Sequence, residues 1–359
     1  MALEIREQVP LAPLSTLGVG GPARYYVRAQ HVDEVRAAVD WARTRDLPLL
    51  VLGGGSNVVL SDGGHPGLVL HLATRGVEAL ESGGTARVTA EAGEPWDPLV
   101  AEAVARGWAG LECLSGIPGL VGATPIQNVG AYGQEVAETI AEVHALDLTT
   151  GRMDRLENAE CAFAYRDSRF KSADKGRFIV LRVAYALRAG GAPALRYAEL
   201  ARHLEAAARA SPSVADVREA VITLRRRKSM VLDPDDPNAR SVGSFFTNPI
   251  VPAAVADGLE ARLRAEGVLR EDERPPRFPA RDGQVKLSAA WLIERAGLSR
   301  GYGHGRVGLS SRHTLAIVNR GGAAAAEVVA FAREVRQRVR DRLGVTLTPE
   351  PVFVHLSLD

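Results

Sequence analysis

The chain has 359 residues, of which 46% are hydrophobic and 24% are charged. This length and composition predict two or three compact domains with sizeable cores and argue against a disordered or fibrous protein. Because 44 basic residues nearly balance 43 acidic ones, the charge gives no reason to expect a nucleic acid or a membrane surface as partner.

The two cysteines, Cys113 and Cys161, lie far apart in the sequence and neither belongs to a C-x-x-C pair. Neither a disulfide framework nor a zinc site is expected, and the eight histidines show no metal-ligand spacing. The first residues include Glu4, Arg6 and Glu7 and no apolar segment, which is unlike a secretory signal. We expect a cytoplasmic protein without membrane insertion and without a metal.

Residues 1–75 read as strands around one helix, and we interpret them as a first domain. The apolar spacing and the turn residues predict strands over 23–29, 48–52 and 67–72 and a helix over 32–45. Residues 76–228 form the second predicted domain, in which short strands surround a long glycine-rich segment. Its clearest predicted elements are strands over 86–90, 140–147 and 178–185 and helices over 96–105 and 214–227, the last capped by Ser213.

A polar, proline-bearing stretch over 233–238 separates the last third of the chain. We place a third domain at 229–345 and allow for a return of 346–359 to the first domain. The strongest helix pattern of the sequence runs over 323–343, where apolar residues recur every three or four positions and Gly344 ends the pattern.

Two glycine-rich segments dominate the sequence. The first is LGGGSNVVL, over 52–60, directly after a predicted strand, and the second is SGIPGLVGATPIQNVGAYG, over 115–133. Glycines permit positive φ, and consecutive N–H groups can surround an anion. Either segment alone would indicate only a tight turn, whereas two together favour contact with a phosphate or a large flat cofactor.

The string GHGRVG over 303–308 matches the G-x-G-x-x-G pattern of dinucleotide-binding folds. That pattern requires a strand before it and a helix after it. Here a turn-rich stretch precedes it and a predicted strand over 315–319 follows it. We therefore predict no dinucleotide site there and set a Rossmann dehydrogenase aside.

Seven segments, in chain order, resemble the UDP-N-acetylenolpyruvoylglucosamine reductase family. They are TLGVGGPARYYV from Thr16, LGGGSNVVL, GLECLSGIPGLVGATPIQNVGAYGQEV from Gly110, YRDSRFK from Tyr165, VGSFFTNP from Val242, KLSAAWLIERAGL from Lys286 and TPEPVFV from Thr348. The resemblance implies an α+β, FAD-binding fold of the vanillyl-alcohol-oxidase (PCMH) type, with two FAD-binding subdomains and a substrate-binding α+β domain. It also implies a monomer that uses non-covalent FAD and NADPH to reduce UDP-N-acetylglucosamine enolpyruvate to UDP-N-acetylmuramate for peptidoglycan.

The resemblance also assigns roles to individual residues. Ser244 matches the family's proton donor, Glu350 its C-terminal glutamate, and Arg166 the arginine that contacts the enolpyruvyl carboxylate. Tyr197 matches the substrate-loop tyrosine of the type I branch, and Lys228 and Asn248 match substrate-binding positions. The residues expected to surround FAD are Gly53, Gly54, Gly55, Ser56, Asn57, Ser115, Gly116, Gly119, Gly122, Ala123, Gln127, Asn128, Gly130, Ala131 and Tyr132.

The reaction chemistry is consistent with these residue types. Hydride addition to the alkene builds negative charge on the neighbouring carbon and the carboxylate, which an arginine fork binds bidentately. The new centre then needs a proton from a nearby group such as Ser244. An ionised Glu350 would repel that charge, so we expect it to be buried with a raised pKa.

Simpler interpretations remain open for each residue. Ser244 could cap a turn, Glu350 could be a solvated loop residue, and Arg166 could form a surface ion pair with Asp167. The basic run over 225–228 is typical of a solvated helix end, and it could equally attract the UDP diphosphate.

Two further functions remain as alternatives. The first is an oxidase or dehydrogenase of alcohols or sugars on the same flavin fold. Such enzymes often tether FAD to a histidine near the first glycine segment, whereas residues 53–57 contain none, although His65 and His71 follow. The second alternative is a nucleotide-sugar binding protein that takes up no FAD.

Overall fold

The computed structural model describes residues 3–209, 211–270 and 272–359. The described residues form two compact units, each assembled from separate stretches of the chain. Unit 1 comprises the described parts of Met1–Pro10, Pro22–Gly55 and His65–Asp233. Unit 2 comprises the described parts of Leu11–Gly21, Ser56–Gly64 and Pro234–Asp359. The predicted domain boundaries at 75 and 228 stay a prediction.

The strands, in chain order, are β1 Arg6–Pro10, β2 Pro22–Ala29, β3 Leu49–Leu52, β4 Val58–Leu60, β5 His65–Leu72, β6 Val77–Ser82, β7 Thr85–Glu91, β8 Trp108–Ala109, β9 Gly130–Ala131, β10 Gln134–Glu135, β11 Ile140–Asp147, β12 Met153–Glu157, β13 Phe178–Ala189, β14 Ile250–Pro252, β15 Arg277–Pro279, β16 Gln284–Leu287, β17 Val307–Leu309, β18 Ile317–Asn319 and β19 Val352–Val354. The α-helices are α1 Val32–Arg43, α2 Trp96–Ala105, α3 Thr124–Gln127, α4 Ala198–Ala206, α5 Val214–Arg227, α6 Ala253–Ala265, α7 Ala289–Arg295 and α8 Ala325–Leu343.

The first sheet of unit 1 has the order β1-β2-β5-β3. Strand β5 pairs in parallel with β2 and with β3, whereas β1 is antiparallel to β2. Helix α1 buries Val35, Ala38 and Ala42, which belong to one core with residues of β2 and β5. The predicted strands and the predicted helix of this region are confirmed. The carboxyl end of β3 leads directly into Gly53.

The second sheet of unit 1 is antiparallel and has the order β12-β11-β13-β7-β6, with β8 also paired to β13. Strand β13 extends four residues beyond the predicted end at Tyr185 because Ala186–Arg188 pair with β7 and Ala189 pairs with β8. Helix α2 packs Trp96, Leu99 and Val100 into the core of this sheet. The prediction of α2 and α5 is confirmed, and Ser213 accepts a hydrogen bond from the N–H of Asp216 as the cap of α5.

Unit 2 contains small sheets ordered β14-β16-β15, β17-β18 and β19-β4, around the long helix α8. Strand β4 pairs in parallel with β19, close to the carboxyl end of the chain. The residues over 303–308 run from a turn into β17, which pairs with β18, so this string lacks the preceding strand and the following helix of a dinucleotide-binding fold.

Helix α8 begins two residues later than predicted, after Ala324. Ala324 has no side chain that could cap a helix, and the carboxylate of Asp62 takes this role from a distant part of the chain. It accepts hydrogen bonds from the N–H groups of Ala325, at 2.7 Å, and Ala326, at 3.0 Å. A carboxylate at this position satisfies orphan N–H donors and interacts favourably with the helix dipole.

Candidate functional site

The first glycine segment of unit 1 lies against the second one. A Cβ atom built on Gly54 would be 2.9 Å from the Cα atom of Gly119, and one built on Gly53 would be 3.8 Å from Leu120. Only glycine at 54 allows this approach of the two backbones. Within the described part of the chain, no acceptor takes the N–H of Gly53 or Gly54. These donors can therefore bind an anion.

The second glycine segment is held by hydrogen bonds to Asp97 of helix α2 and to Ala92. The N–H of Gly116 donates to Asp97 at 2.6 Å, and Arg218 holds the same carboxylate through two bonds of 2.7 and 2.9 Å. Burial works to raise the pKa of Asp97, but the bonds from Arg218 and Gly116 outweigh it and lower that pKa. The N–H of Gly122 donates to Ala92. Gly116 and Gly122 therefore use their N–H groups within the protein.

Two predicted cofactor residues also use their side chains within the protein. The hydroxyl of Ser115, which is fully buried, donates to the carbonyl of Glu112 at 2.7 Å. Asn128, 1% exposed, donates to Glu135 and Ala164 and accepts from the N–H of Ala137. Asn128 adopts φ 40°, a left-handed conformation that asparagine tolerates better than most residues. These side chains shape the segment and are not directed at a ligand.

Arg166 lies on the second glycine segment. Its Nη2 donates to the carbonyl of Gly130 at 2.5 Å, and its own carbonyl accepts from Lys171 at 2.8 Å. Its φ is 55°, an unusual conformation for arginine, and such residues concentrate at functional sites. The carboxylate of Asp167 accepts from the N–H of Ser168 and from the hydroxyl of Ser172.

Tyr132, Tyr197 and Lys228 form one cluster in unit 1. The two tyrosine rings meet edge to face with centroids 5.4 Å apart, and the Lys228 ammonium lies 5.7 Å from the centre of the Tyr132 ring. Lys228 also donates to Glu199 at 2.6 Å. Burial raises the pKa of both tyrosines, so their hydroxyls stay protonated at neutral pH. The structure thus brings together two predicted substrate residues and one predicted cofactor residue.

Arg225 is a feature that the sequence analysis misjudged. It was grouped with a solvated helix end, but only 8% of it is exposed, whereas Arg226 and Arg227 are exposed. Its Nη2 donates to the carbonyl of Met230 at 2.6 Å, and its Nε has no partner among the described residues. Burial lowers the pKa of Arg225 to about 10. The helical spacing could have revealed this burial. Arg225 lies four residues after Val221, and positions four apart share one face of a helix.

These observations fit a bound FAD. A buried polar group without a partner indicates an absent ligand or water, and Arg225 Nε lies 3.5 Å from the Cβ position of Gly116, on the second glycine segment. The two glycine segments in contact and the N–H groups of Gly53 and Gly54 complete a site suited to a dinucleotide with a pyrophosphate. The two histidines after the first glycine segment are engaged elsewhere. His65 contacts the carbonyl of Pro48, and His71 contacts the Tyr26 hydroxyl at 2.7 Å.

In unit 2, backbone hydrogen bonds join the segments that carry Ser244 and Glu350. The N–H of Glu350 donates at 2.9 Å to the carbonyl of Phe245, the residue after Ser244, and Thr247 donates to Thr348. Phe245 and Phe246 are fully buried and anchor this segment in the core. Glu350 itself is half-buried, so the expectation of a buried carboxyl was wrong, because Thr348 and Val352 on either side of it reach the surface.

The other predicted site residues of unit 2 support the same region. The Asn57 side chain donates to the carbonyl of Glu350 at 3.4 Å, and the N–H of Val352 donates to the carbonyl of Asn57 at 2.9 Å. Asn248 accepts from the N–H of Ala289 at 2.9 Å, at the first residue of α7. Asn248 therefore has a helix-capping role, which the sequence analysis missed.

Across residues 3–209, 211–270 and 272–359, no helix combines the length and the apolar character needed to cross a membrane. The same residues contain no group of three or more His, Cys, Asp or Glu side chains that could hold a metal ion.

Comparisons with known proteins identify the family to which the chain belongs. The family model described as "FAD binding domain" matches residues 23–157, and the model described as "UDP-N-acetylenolpyruvoylglucosamine reductase, C-terminal domain" matches residues 235–354. A curated protein of Saccharopolyspora erythraea with that reductase name is 50% identical over 97% of this chain and 95% of its own length. A protein of Thermobifida fusca with the same name is 49% identical over the full length of both chains.

The chain also resembles a solved structure, the UDP-N-acetylenolpyruvylglucosamine reductase of Thermus caldophilus. The two share a TM-score of 0.65 and 26% sequence identity, over 98% of this chain and 99% of the other. The α+β FAD-binding fold that the sequence implied is confirmed. By full-length identity near 50% to its curated relatives, the chain belongs to the UDP-N-acetylenolpyruvoylglucosamine reductase family.

Proposed function

We propose that this protein reduces UDP-N-acetylglucosamine enolpyruvate to UDP-N-acetylmuramate, a step of peptidoglycan precursor synthesis, with NADPH as hydride donor and non-covalent FAD as cofactor. The observation that carries the proposal is the hydrogen bond that joins Glu350 to Phe245, the residue after Ser244, and so holds the two chain segments together. A protein that only binds a nucleotide sugar would not need a proton-donating pair of this kind.

The residues around the two glycine segments would hold FAD, which would supply hydride transfer from NADPH to the enolpyruvyl group. We assign to Arg166 the binding of the enolpyruvyl carboxylate, since the guanidinium stays charged and can form two parallel hydrogen bonds. The bond from Arg166 to Gly130 restricts the side chain to one orientation. Such preorganisation lowers the cost of stabilising charge that develops during the reaction.

We assign the proton transfer to Ser244. A hydroxyl can donate a proton to a carbanion-like carbon if another group restores it. The segment around Ser244 is held in two ways. Phe245 and Phe246 are fully buried, and backbone hydrogen bonds join the segment to residues 348–350. We assign to Glu350 either a hydrogen bond to the developing charge while it is protonated, or the role of proton relay.

We assign UDP-sugar contacts to Tyr197, Lys228 and Asn248. The Tyr197 and Lys228 side chains belong to the cluster with Tyr132, and an ammonium group suits a diphosphate. The residues expected around FAD keep that proposed role, with the contacts of Gly116, Gly122, Ser115 and Asn128 limited to atoms that are not hydrogen-bonded inside the protein. We further propose a cytoplasmic monomer, in which residues 1–75 and 76–228 bind FAD and 229–345 bind substrate.

An anaerobic visible spectrum of the purified protein tests the function. We expect a flavin band that bleaches with NADPH and returns on addition of the enolpyruvyl UDP-sugar. Denaturation should release the flavin. A flavin that stays reduced until oxygen enters would favour an oxidase or dehydrogenase of the same fold. A colourless protein that takes up no added FAD would contradict the proposal.

A further inference from the structure

Glu112 is a fully buried carboxylate just before the second glycine segment. It is 0% exposed, and no lysine, arginine or histidine of the described residues forms an ion pair with it. Three N–H groups surround it instead. Gly110 donates at 2.7 Å, Ala194 at 2.8 Å, and the Gln134 side chain at 3.2 Å. A buried charge without a counter-ion is costly unless such donors satisfy it, so this arrangement needs a reason.

The donor from Ala194 is the one that reaches across the fold. Glu112 accepts the N–H of Ala194, and the Cys113 thiol donates to the carbonyl of the same residue at 3.3 Å. Gln134 connects the two, because it donates to Glu112 and accepts from the N–H of Cys113 at 3.0 Å. Both peptide polar groups of Ala194 are thereby held by adjacent side chains.

Ala194 lies in the middle of the 190–197 loop, which joins the end of β13 at Ala189 to the start of α4 at Ala198. Residues 191–197 of this loop have no regular secondary structure. Beyond Ala194, Arg196 contacts the carbonyl of Gly133 at 3.3 Å and Glu138 at 2.8 Å, and both Arg196 and Glu138 are exposed. The buried attachment of the loop is therefore the one at Ala194, three residues before Tyr197.

We propose that Glu112 is a positioning residue for the substrate. Its carboxylate, just before the second glycine segment, holds the 190–197 loop through the hydrogen bond from Ala194. This attachment fixes Tyr197 against Tyr132 and beside Lys228. The inference rests on the proposed function, because it takes Tyr197 to contact the UDP-sugar. A buried charge-assisted hydrogen bond is stronger and more directional than a neutral one, which is why a carboxylate suits this attachment.

The variant Glu112→Gln tests the proposal. Oε1 of Glu112 accepts from Ala194 and Gln134, and Oε2 accepts from Gly110. Glutamine keeps the volume but has no charge, and its NH₂ group would face either Gly110 or the other two donors, so the bond from Ala194 is weakened or lost. The concentration dependence of flavin reoxidation by the enolpyruvyl UDP-sugar gives an apparent Kd and a limiting rate. We expect bound flavin with an unchanged spectrum, an apparent Kd about tenfold higher, as expected for one lost charge-assisted bond, and a limiting rate within about twofold.

A double-mutant cycle with Tyr197→Ala separates positioning from general stability. If Glu112 acts through Tyr197, Glu112→Gln should have no further effect on the apparent Kd once Tyr197 is removed. Additive effects would overturn the proposal, and so would an unchanged Kd in folded Glu112→Gln. The exposed Glu138→Gln variant, which removes the Arg196 pair from the same loop, serves as the matched control and should leave the Kd unchanged.

Limited trypsin digestion reports on the loop without substrate. Cleavage after Arg196 should be faster in Glu112→Gln than in the parent protein. Cys113→Ala removes the thiol bond to the same loop residue, so it should give a smaller increase, and it provides the test if Glu112→Gln does not fold. Faster cleavage with no effect of Tyr197→Ala on binding would refute the substrate role of Tyr197, whereas unchanged cleavage in both variants would refute the role of Glu112.

Discussion

The main-chain N–H of Glu350 donates a 2.9 Å hydrogen bond to the carbonyl of Phe245. These residues are more than a hundred positions apart in the sequence, and the bond holds the C-terminal TPEP segment beside the GSFF segment. Because Phe245 is fully buried, this bond anchors in the core the two segments that carry Ser244 and Glu350.

Ser244→Ala should separate the two halves of the catalytic cycle. Loss of a positioned proton donor typically costs about 10²–10⁴-fold in rate, so flavin reoxidation by the enolpyruvyl UDP-sugar should fall by about that factor. Flavin reduction by NADPH needs no such donor and should stay within about twofold. Anaerobic stopped-flow spectra of both half-reactions measure this, and an equal loss in both would contradict the assignment.

Glu350→Gln distinguishes a protonated carboxyl from an ionised one. A glutamine can donate a hydrogen bond as a protonated glutamate does, so reoxidation should stay within about tenfold of the parent rate. Glu350→Ala removes the donor and should lose about 10²-fold or more. If glutamine proves as inactive as alanine, Glu350 must exchange a proton and does not act by hydrogen bonding alone.

Arg225→Met should weaken FAD binding without destabilising the protein that lacks FAD. A hydrogen bond from a charged group contributes about 1.5–3 kcal/mol, so the Kd for FAD should rise by about 10–100-fold. Replacing a buried, uncompensated charge by an apolar side chain is often neutral or stabilising. Fluorescence titration of FAD and thermal unfolding with and without FAD test both parts; an exposed variant such as Arg226→Met is the control. Unchanged FAD affinity would contradict this role.

Asp97→Asn should lower stability in a pH-dependent way. The folded-state pKa of Asp97 is lowered, so its contribution is fully present above the ordinary aspartate pKa and is lost as the pH falls through the folded-state value. At pH 7 the variant should be less stable by about 1–3 kcal/mol, because Arg218 loses its charged partner. As the pH falls below the ordinary aspartate pKa the difference should shrink, and it should vanish once Asp97 is protonated in the folded protein. Urea unfolding over a series of pH values measures it, and a difference independent of pH would count against the ion pair as the cause.

Asp62→Ala should destabilise helix α8 by removing its cap. Loss of an N-terminal capping side chain costs about 1 kcal/mol. Asp62→Asn should restore part of the loss, since asparagine also caps helices well. Thermal unfolding of the three proteins provides the test, and equal stability of Asp62→Ala and the parent would show that the bonds to Ala325 and Ala326 contribute nothing.

The repeating elements of the fold could be predicted from local pattern. The apolar spacing of α1, α5 and α8 was sufficient, since each places one face in a core. The extension of β13 beyond Tyr185 could not be predicted, because its partners, β7 and β8, come from other parts of the sequence. The same holds for the Asp62 cap, which lies more than 260 positions before its helix.

The site was predictable in its residue types and less so in their roles. Glycine at 53 and 54 carried a local signal, whereas the engagement of Asn128 and Asn248 inside the protein depends on long-range partners. The burial of Arg225 was not predicted, because a run of basic residues gives no sign of which one faces the core. Glu350 was expected to be buried on chemical grounds alone, and the packing around it determines its exposure.

The pairing of β4 with β19 has a consequence for synthesis of the protein. Val58 and Val352 are joined in register, so residues 56–64 leave the ribosome long before their partner exists. At translation rates of about 5–20 residues per second, that delay is roughly 15–60 s. During this time β4 lacks its pairing strand and the Asp62 carboxylate lacks the helix that it caps, so unit 2 completes its folding only after β19 has been made.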